Sequence, residues 1–118
     1  MKYADLKRNF EGLISIGRPF APRLVATFTA NSLPVISCND VAIVNLAEFR
    51  SQLEKLRKGD VFVMGRDVSS DHHLPKSFKK TDSRPTGVSR FHCFIKKGKD
   101  ESFELFDTSA TFTAVCLE

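Results

Sequence analysis

Tryptophan, long apolar runs and an even set of cysteines are all missing from this chain of 118 residues. No apolar stretch approaches the roughly 20 residues that cross a bilayer, and the N-terminus lacks the apolar core of a secretory signal. The three cysteines, Cys38, Cys93 and Cys116, cannot all pair with one another, and each lies among apolar or strand-forming residues. We therefore expect an intracellular protein, cytoplasmic or nuclear, without a membrane span or a membrane partner.

The residue spacings that enzymes and metal sites require are also missing. There is no Cys-x-x-Cys or His-x-x-x-His pattern, no glycine-rich phosphate loop and no Gly-x-Ser-x-Gly turn. His72 and His73 are adjacent, so in an extended segment they point in opposite directions. Cys93 follows His92, and neighbours on a strand project to opposite faces, which separates a thiol nucleophile from its base. We therefore expect a protein without catalytic activity, metal or cofactor.

Positive charge is concentrated in one third of the chain. The formal net charge is +4, yet the segment 66–99 holds nine lysines and arginines against three aspartates, and the remainder has a small excess of acid. All three histidines also lie in this basic third. Two interpretations stay open here: a solvated loop without a function, and a surface for an anionic partner such as a phosphopeptide, a nucleic acid or an acidic protein surface.

A length of 118 residues predicts a single domain, 1–118, and alternating and β-branched residues predict that it is built mainly of strands. The segments with this pattern are 23–30, 35–38, 41–44, 61–64, 91–95, 102–106 and 111–117. Between two of them, residues 67–88 are rich in polar and turn residues and contain two prolines. We predict that 67–88 is one long loop, weakly ordered in the absence of a ligand.

One stripe of apolar residues at helical spacing predicts a helix near residues 46–57, with Asn45 as its N-cap and Gly59 as its C-terminal glycine. The stripe consists of Leu46, Phe49, Leu53 and Leu56. We expect these side chains to pack on the protein's own sheet.

Four short motifs follow one another in the second half of the chain: Gly65-Arg66 ending a strand, Ser89-Arg90-Phe91-His92 opening the next, then Asp107-Thr108-Ser109, then 111–115. This ordered set resembles the forkhead-associated (FHA) domain, whose pattern is Gly-Arg, Ser-Arg-x-His and Asp-x-Ser-x-Asn-Gly-Thr-x-Val. The matching residues are Gly65, Arg66, Ser89, Arg90, His92, Asp107, Ser109, Thr113 and Val115. Thr111-Phe112 replaces the family's Asn-Gly.

The resemblance implies a fold and a function. The fold would be a mainly antiparallel β-sandwich of the FHA/SMAD-like type, with extra N-terminal strands and one peripheral helix. The function would be phosphothreonine-dependent binding of a partner protein in intracellular signalling. The implied phosphopeptide-binding residues are Arg66, Ser89, Arg90 and Thr111, and the residues that would support them are Gly65, His92, Asp107 and Ser109.

A narrower resemblance joins the chain to the variant FHA domain of Pellino proteins. Ser89-Arg90-Phe91-x-Cys93-x-Ile95 is similar to that domain's Ser-Arg-Phe-x-Cys-x-Ile segment, and Lys2-Tyr3-x-Asp5-Leu6 is similar to its early Lys-Tyr-x-Glu-Leu. Pellino proteins add a wing of strands to the FHA core, which implies that residues 1–58 form a wing and a helix and that 59–117 carry the FHA motifs. The chain would then be a Pellino-like adaptor fragment or a viral homologue without the ubiquitin-ligase region.

Binding of nucleic acid is the alternative function. Lys76, Lys79, Lys80 and Arg84, with Phe78 among them, form a basic segment of the kind that holds a phosphate backbone and stacks a base. One phenylalanine is thin aromatic coverage, however, and no known nucleic-acid-binding motif occurs in the sequence. Phosphopeptide binding is therefore the favoured prediction.

Overall fold

Strands dominate the computed structural model, which describes residues 2–14, 22–38, 41–75, 77–78, 86–109 and 114–116. The strands are β1 (Arg23–Thr29), β2 (Val35–Cys38), β3 (Val41–Asn45), β4 (Val61–Gly65), β5 (His72–His73), β6 (Ser77–Phe78), β7 (Thr86–Gly87), β8 (Cys93–Lys97), β9 (Ser102–Asp107) and β10 (Ala114–Cys116). The helices are α1 (Tyr3–Ile14), a 3-10 helix (Leu46–Phe49) and α2 (Arg50–Glu54). The prediction of a mainly β protein is confirmed.

The main sheet has five strands in the order β1-β9-β8-β4-β5. Its pairs are antiparallel except for β5, which runs parallel to β4 and pairs His72 with Met64. A second, antiparallel sheet has the order β10-β2-β3, and β6 pairs with β7. Both larger sheets contain strands from 1–58 and from 59–117: β1 lies beside β9 at the edge of the main sheet, and β10 lies beside β2 in the second sheet.

Apolar residues cover both faces of the main sheet at β4. Phe62 and Met64 belong to the larger of two core clusters, whereas Val61 and Val63 belong to a smaller cluster that includes Leu6 of α1. All five residues of β4 are buried. A strand that is buried on both faces has a continuous apolar sequence in place of an alternating one. Residues 61–64, which are Val-Phe-Val-Met, form such a continuous apolar run.

The larger cluster joins the two sheets. It contains Phe28, Ile95 and Leu105 from the main sheet and Ile36 and Val44 from the second sheet, all of them buried. The main sheet therefore has α1 against one face and the apolar side chains of the second sheet against the other.

The helix predicted near residues 46–57 is present but shorter, and it is divided into the 3-10 helix and α2. Asn45 is its N-cap, because the Asn45 side-chain oxygen accepts a hydrogen bond from the Ala47 amide at 3.1 Å. The predicted stripe packs on the larger cluster, as expected. Leu46 and Leu53 are fully buried, and Phe49 and Leu56 are partly buried against that cluster.

Gly59 does not end that helix, so this part of the prediction was wrong. Helix α2 ends at Glu54, and Gly59 lies in the turn that leads into β4. Its φ of 91° is open to glycine and strained for other residues. Its carbonyl accepts a hydrogen bond from the Tyr3 amide at 3.0 Å, which ties the start of α1 to the start of β4.

Helix α1 is a second helix that the sequence analysis did not predict. Tyr3 and Leu6 contact the smaller cluster, and Phe10 and Leu13 continue the same spacing in the sequence. This is the i, i+3, i+7, i+10 pattern that identified the other helix, so a signal was available. Lys2 precedes α1 where a Ser, Thr, Asp or Asn cap usually stands, which removes the start signal.

The segment 67–88 contains more regular structure than one long loop. It includes β5, β6 and β7, and its residues Leu74 and Val88 are buried in the larger cluster. Strand β8 begins at Cys93, two residues later than predicted, because the chain bends at 90–91. Phe91 consequently lies in the smaller cluster, whereas Cys93 and Ile95 lie in the larger one.

Strands β8 and β9 form an antiparallel hairpin. Ser102 donates its amide hydrogen to the Lys99 carbonyl at 3.0 Å, and Asp100 and Glu101 between them have φ values of 56° and 62°. Positive φ at both central residues is the geometry of a type I′ turn, which suits the twist of a hairpin but favours Asn-Gly or Asp-Gly. This tip therefore carries backbone strain at two residues that are not glycine.

Candidate functional site

Two of the predicted motifs lie side by side where β4 ends. Three backbone hydrogen bonds join the segments 64–67 and 89–92: Arg66 N to Ser89 O at 3.1 Å, Asp67 N to Arg90 O at 3.0 Å, and His92 N to Met64 O at 2.9 Å. These bonds tie the end of β4 and the segment after it to the segment before β8, and they fix the two motifs relative to each other. The structure thus brings Gly65, Arg66, Ser89, Arg90 and His92 together.

Gly65 is required by this close approach. A Cβ atom at this position would lie 2.1 Å from the Arg90 carbonyl oxygen and 3.0 Å from the His92 amide nitrogen. Both neighbours are backbone atoms that hydrogen bonds hold in place, so they cannot move aside cheaply. The glycine of the Gly-Arg motif therefore allows the two segments to meet.

The Arg66 side chain is anchored at one of its nitrogens. Its Nε donates a hydrogen bond to the Val88 carbonyl at 3.1 Å, and its own carbonyl accepts one from His73 Nε2 at 2.8 Å. The two terminal nitrogens of the guanidinium make no hydrogen bond or ion pair with any residue in the described ranges. A half-buried guanidinium that is fixed through Nε presents these nitrogens as a planar pair of donors.

Arg90 is paired differently. Its Nη2 donates to Asp67 Oδ1 at 3.1 Å, and the side chains of Arg90 and Asp67 are 49% and 17% exposed. The hydroxyl and the amide of Ser69 both donate to Asp67 Oδ2. The Ser69 hydroxyl chiefly, with Arg90 in addition, holds the pKa of Asp67 below its usual range. Asp67 is therefore a carboxylate at neutral pH and binds the guanidinium that was predicted to contact phosphate.

His92 is buried behind Ser89. The Ser89 amide donates to His92 Nδ1 at 3.2 Å, so the neutral ring carries its proton on Nε2. This buried Nε2 finds no hydrogen-bond partner within the described part of the chain. Burial lowers the pKa of His92, and the negative charge of Asp107 only partly opposes that shift. The ring is neutral at pH 7 and supports the backbone at Ser89.

Asp107 holds the third motif in place. Its Oδ2 accepts a hydrogen bond from Arg23 at 2.6 Å, and its Oδ1 accepts from the Ser109 amide at 2.9 Å and from the Ser109 hydroxyl at 2.6 Å. Asp107 is fully buried, and the intervening Thr108 donates its hydroxyl to the Phe91 carbonyl at 2.7 Å. These bonds attach the end of β9 to both β1 and the segment that carries Arg90.

The role of Asp67 was not predicted, although the sequence held a signal for it. Asp67-Val68-Ser69 repeats the Asp-x-Ser pattern of Asp107-Thr108-Ser109, and in both copies the carboxylate accepts the amide and hydroxyl of the serine two residues later. This is an Asx turn, which aspartate forms readily. Arg23 was also missed, because its partner Asp107 is 84 positions away in the sequence.

Several predicted residues lie outside the described ranges. Among the phosphopeptide-binding residues this applies to Thr111. Among the basic residues of the nucleic-acid alternative it applies to Lys76, Lys79, Lys80 and Arg84.

Metal-binding clusters and membrane-spanning helices are absent from the described residues. No group of three or more His, Cys, Asp and Glu side chains is arranged to hold a metal ion there. No helix there has both the length and the apolar character needed to cross a membrane. Comparisons with models of protein families, with curated proteins and with solved structures found no match.

Proposed function

We propose that the chain is a phosphothreonine-dependent protein-binding module of the FHA type that acts inside the cell. The observation that carries this proposal is the Arg66 guanidinium, which is anchored through Nε to the Val88 carbonyl beside Ser89. Its remaining donors face no partner among the described residues. The partner would be a protein that presents a phosphorylated threonine.

The chemistry of a phosphate suits this arrangement. A phosphothreonine carries a charge of about −1.5 to −2 near pH 7 and three strong acceptor oxygens. Two parallel, charge-assisted hydrogen bonds from Arg66 would hold two of these oxygens, and the Ser89 hydroxyl would donate to the phosphate. Because three backbone hydrogen bonds between 64–67 and 89–92 fix the backbone on both sides, little further ordering is needed on binding.

Arg90 would join the site by changing partner. Its guanidinium is half-exposed and contacts one carboxylate oxygen of Asp67. A surface pair of this kind is worth about 1 kcal/mol or less, so a dianionic phosphate beside it competes well for the same cation. Asp67 remains satisfied by Ser69 when Arg90 leaves.

Val68 offers an apolar contact next to these charges. It is 89% exposed and lies between Asp67 and Ser69 in the turn that follows Arg66. We propose that it packs against the residue next to the phosphothreonine and contributes to sequence preference.

The FHA-type fold is part of the same proposal. The larger core cluster takes apolar residues from the main sheet and from the β10-β2-β3 sheet, which supports two sheets packed face to face as a sandwich. The phosphate site would then lie at one end of that sandwich, in loops held by strand ends.

A phosphothreonine-peptide library identifies the best sequence, and calorimetry with that peptide then tests the site. We expect binding to require the phosphate, and Arg66→Ala to cost about 2–5 kcal/mol, which abolishes a micromolar interaction. Arg66→Lys should recover only part of the affinity, since a lysine lacks the planar pair of donors. Phosphoserine should bind more weakly, because it lacks a methyl group worth about 0.8 kcal/mol when buried.

Arg50→Ala is the matched control, since Arg50 is an exposed arginine on α2 outside the site. It should leave the affinity within about 0.5 kcal/mol of the unchanged protein. Equal losses of affinity in the Arg66 and Arg50 variants would indicate diffuse electrostatic attraction. An oligonucleotide that binds the Arg66 and Arg50 variants with equal affinity would favour the nucleic-acid alternative. No binding of any phosphothreonine peptide would overturn the proposal.

A further inference from the structure

A groove lies at the opposite end of β4 from Arg66. Residues 56–59, which lead into β4, form one wall, and the β8–β9 hairpin tip forms the other. We call it the basic groove, and it encloses about 780 Å³. This volume lies within the range of about 300–1,000 Å³ that ligand-binding clefts span.

Cations dominate the lining of the basic groove. Among the described residues that form it, five are basic and one is acidic: Arg57, Lys58, Lys96, Lys97, Lys99 and Glu104. Lys96 lies over the Tyr3 ring at 5.0 Å, and Lys97 pairs with Glu101 at 3.4 Å. Among the described residues, the exposed side chains of the other three cations have no hydrogen-bond or ion-pair partner. The groove therefore carries positive charge that the neighbouring described residues leave uncompensated.

These cations are mounted on hydrogen-bonded turns. Asp60 donates its amide hydrogen to the Arg57 carbonyl at 2.9 Å, and the Asp60 carboxylate accepts one from the Arg57 amide at 3.2 Å. On the other wall, the Gly98 amide donates to the Ser102 carbonyl at 2.9 Å. The backbone positions of the charges are thus set before any ligand arrives, which lowers the entropy lost on binding.

We propose that the basic groove binds an acidic peptide segment of a partner protein, at a site separate from Arg66. Four of its five cations are lysines, which act as point charges and suit single carboxylates. Half-buried Leu56 adds an apolar surface for one side chain of the peptide. Glu104 can accept a hydrogen bond from a peptide amide.

Nucleic acid fits the basic groove less well. None of the described lining residues is aromatic, so a base has no ring on which to stack. The Tyr3 ring nearby is covered by Lys96. These features favour an acidic peptide over a single-stranded nucleic acid.

The basic groove and the Arg66 region are far enough apart to be tested independently. The five residues of β4 span about 17 Å at about 3.3 Å per residue, which exceeds the screening length of about 8 Å at physiological salt. A change in the groove should therefore leave phosphopeptide binding intact, and Arg66→Ala should leave the groove intact.

Fluorescence anisotropy with a labelled peptide of alternating glutamate and leucine tests the proposal. The variant Lys58→Glu/Lys99→Glu should bind this peptide at least about tenfold more weakly, since two exposed ion pairs become repulsive. The matched control is Lys7→Glu/Arg50→Glu, which reverses two exposed cations outside the groove and should change the affinity less than twofold. Circular dichroism confirms that both variants are folded.

Three results would overturn the proposal. The first is an equal loss in the groove variant and the control variant, which would mean attraction by net charge alone. The second is tighter binding of an oligothymidylate than of the acidic peptide at the same salt concentration, which would assign the groove to nucleic acid. The third is no measurable binding of the peptide by the unchanged protein at low salt. Arg66→Ala, tested with the same peptide, should bind normally whether or not the phosphothreonine proposal holds.

Discussion

Strand β4 has a cationic region at each end, and the two regions are built in different ways. Beyond Gly65, the guanidinium of Arg66 is fixed by a backbone carbonyl and that of Arg90 by a carboxylate. Before β4, Arg57 and Lys58 carry exposed charges without a partner among the described residues. Fixed arginines favour recognition of one geometry, whereas exposed lysines favour salt-sensitive attraction of many anions.

The glycines at the two ends of β4 also differ in what restricts them: Gly65 is the last residue of the strand, and Gly59 precedes the strand by two residues. Gly65 is packed against the backbone of the neighbouring segment, and a side chain has no space there. At Gly59 a Cβ atom would have no other atom within 4 Å, so a side chain has space there. Only the φ of 91° disfavours another residue at this position. The Arg66 end of the strand is therefore constrained by packing and the groove end by local conformation.

Replacing each glycine by alanine should give the largest difference in folding stability between the two ends of β4. We expect Gly65→Ala to destabilise the protein by about 3 kcal/mol, because its Cβ would meet a backbone oxygen at 2.1 Å. Gly59→Ala should cost only about 1–2 kcal/mol, the price of a left-handed conformation. Urea denaturation of both variants measures the difference, and a larger loss for Gly59→Ala would contradict our interpretation.

The two Asp-x-Ser turns provide the next largest contrast. Asp107→Ala should cost about 2 kcal/mol, since Asp107 is buried and its hydrogen bonds to Arg23 and Ser109 are charge-assisted. Asp67→Ala should cost less than about 1 kcal/mol, because its pair with Arg90 is partly exposed. Thermal unfolding of the two variants compares them, and similar losses would show that burial of the turn does not matter.

Stability should also depend on pH through His92 at the Arg66 end. Burial depresses the pKa of His92, so the unfolded chain binds a proton below pH of about 6.5 that the folded chain does not. Stability is therefore lost as the pH falls below that value, by at most about 1.4 kcal/mol per pH unit for one histidine. His72, whose pKa burial also lowers, adds to the same trend.

His92→Gln should flatten this pH dependence between pH 7 and 5, whereas His73→Gln, at an exposed position, should preserve it. Denaturation curves at several pH values provide the measurement. Titration of the His92 ring followed by NMR is a second test that does not need the variant to be stable. An ordinary titration midpoint for His92 in the folded protein would refute the prediction.

The smallest effect is expected at the hairpin tip beside the basic groove, and it should be favourable. Glu101→Gly removes the strain of a positive φ and creates the Asp-Gly pair that this turn prefers. We expect a gain of about 0.5–1 kcal/mol, reduced slightly by loss of the exposed Lys97–Glu101 pair. Lys99→Gly, at a residue without positive φ, should bring no gain in the same denaturation assay.

Much of the fold could be predicted because its strands have strong local signals. Alternating or β-branched residues indicated β1, β2, β8 and β9. The apolar stripe that follows the N-cap Asn45 indicated the 3-10 helix and α2. The return of β5 beside β4 had no such signal, because two adjacent histidines in a polar segment do not reveal a strand partner. Helix α1 was missed because it begins without a capping side chain.

The sequence allowed us to predict which residues lie in the candidate site, but not which of them contact each other. The ordered motifs named Gly65, Arg66 and Ser89, which the structure places together, although their role in binding stays a prediction. Motif order could not show that Asp67 pairs with Arg90, since that contact depends on how two distant turns face each other. The basic groove was likewise invisible, because its walls are far apart in the sequence.

The pairing of β1 with β9 has a consequence for how the chain folds. Arg23 pairs with Asp107 across 84 positions, and among the described strands of the main sheet β1 pairs with β9 alone. During synthesis, β1 leaves the ribosome long before β9, so the edge of β1 that faces β9 stays unpaired until residue 107 has emerged. Closing so large a loop is slow, so we expect refolding on a time scale of milliseconds to seconds.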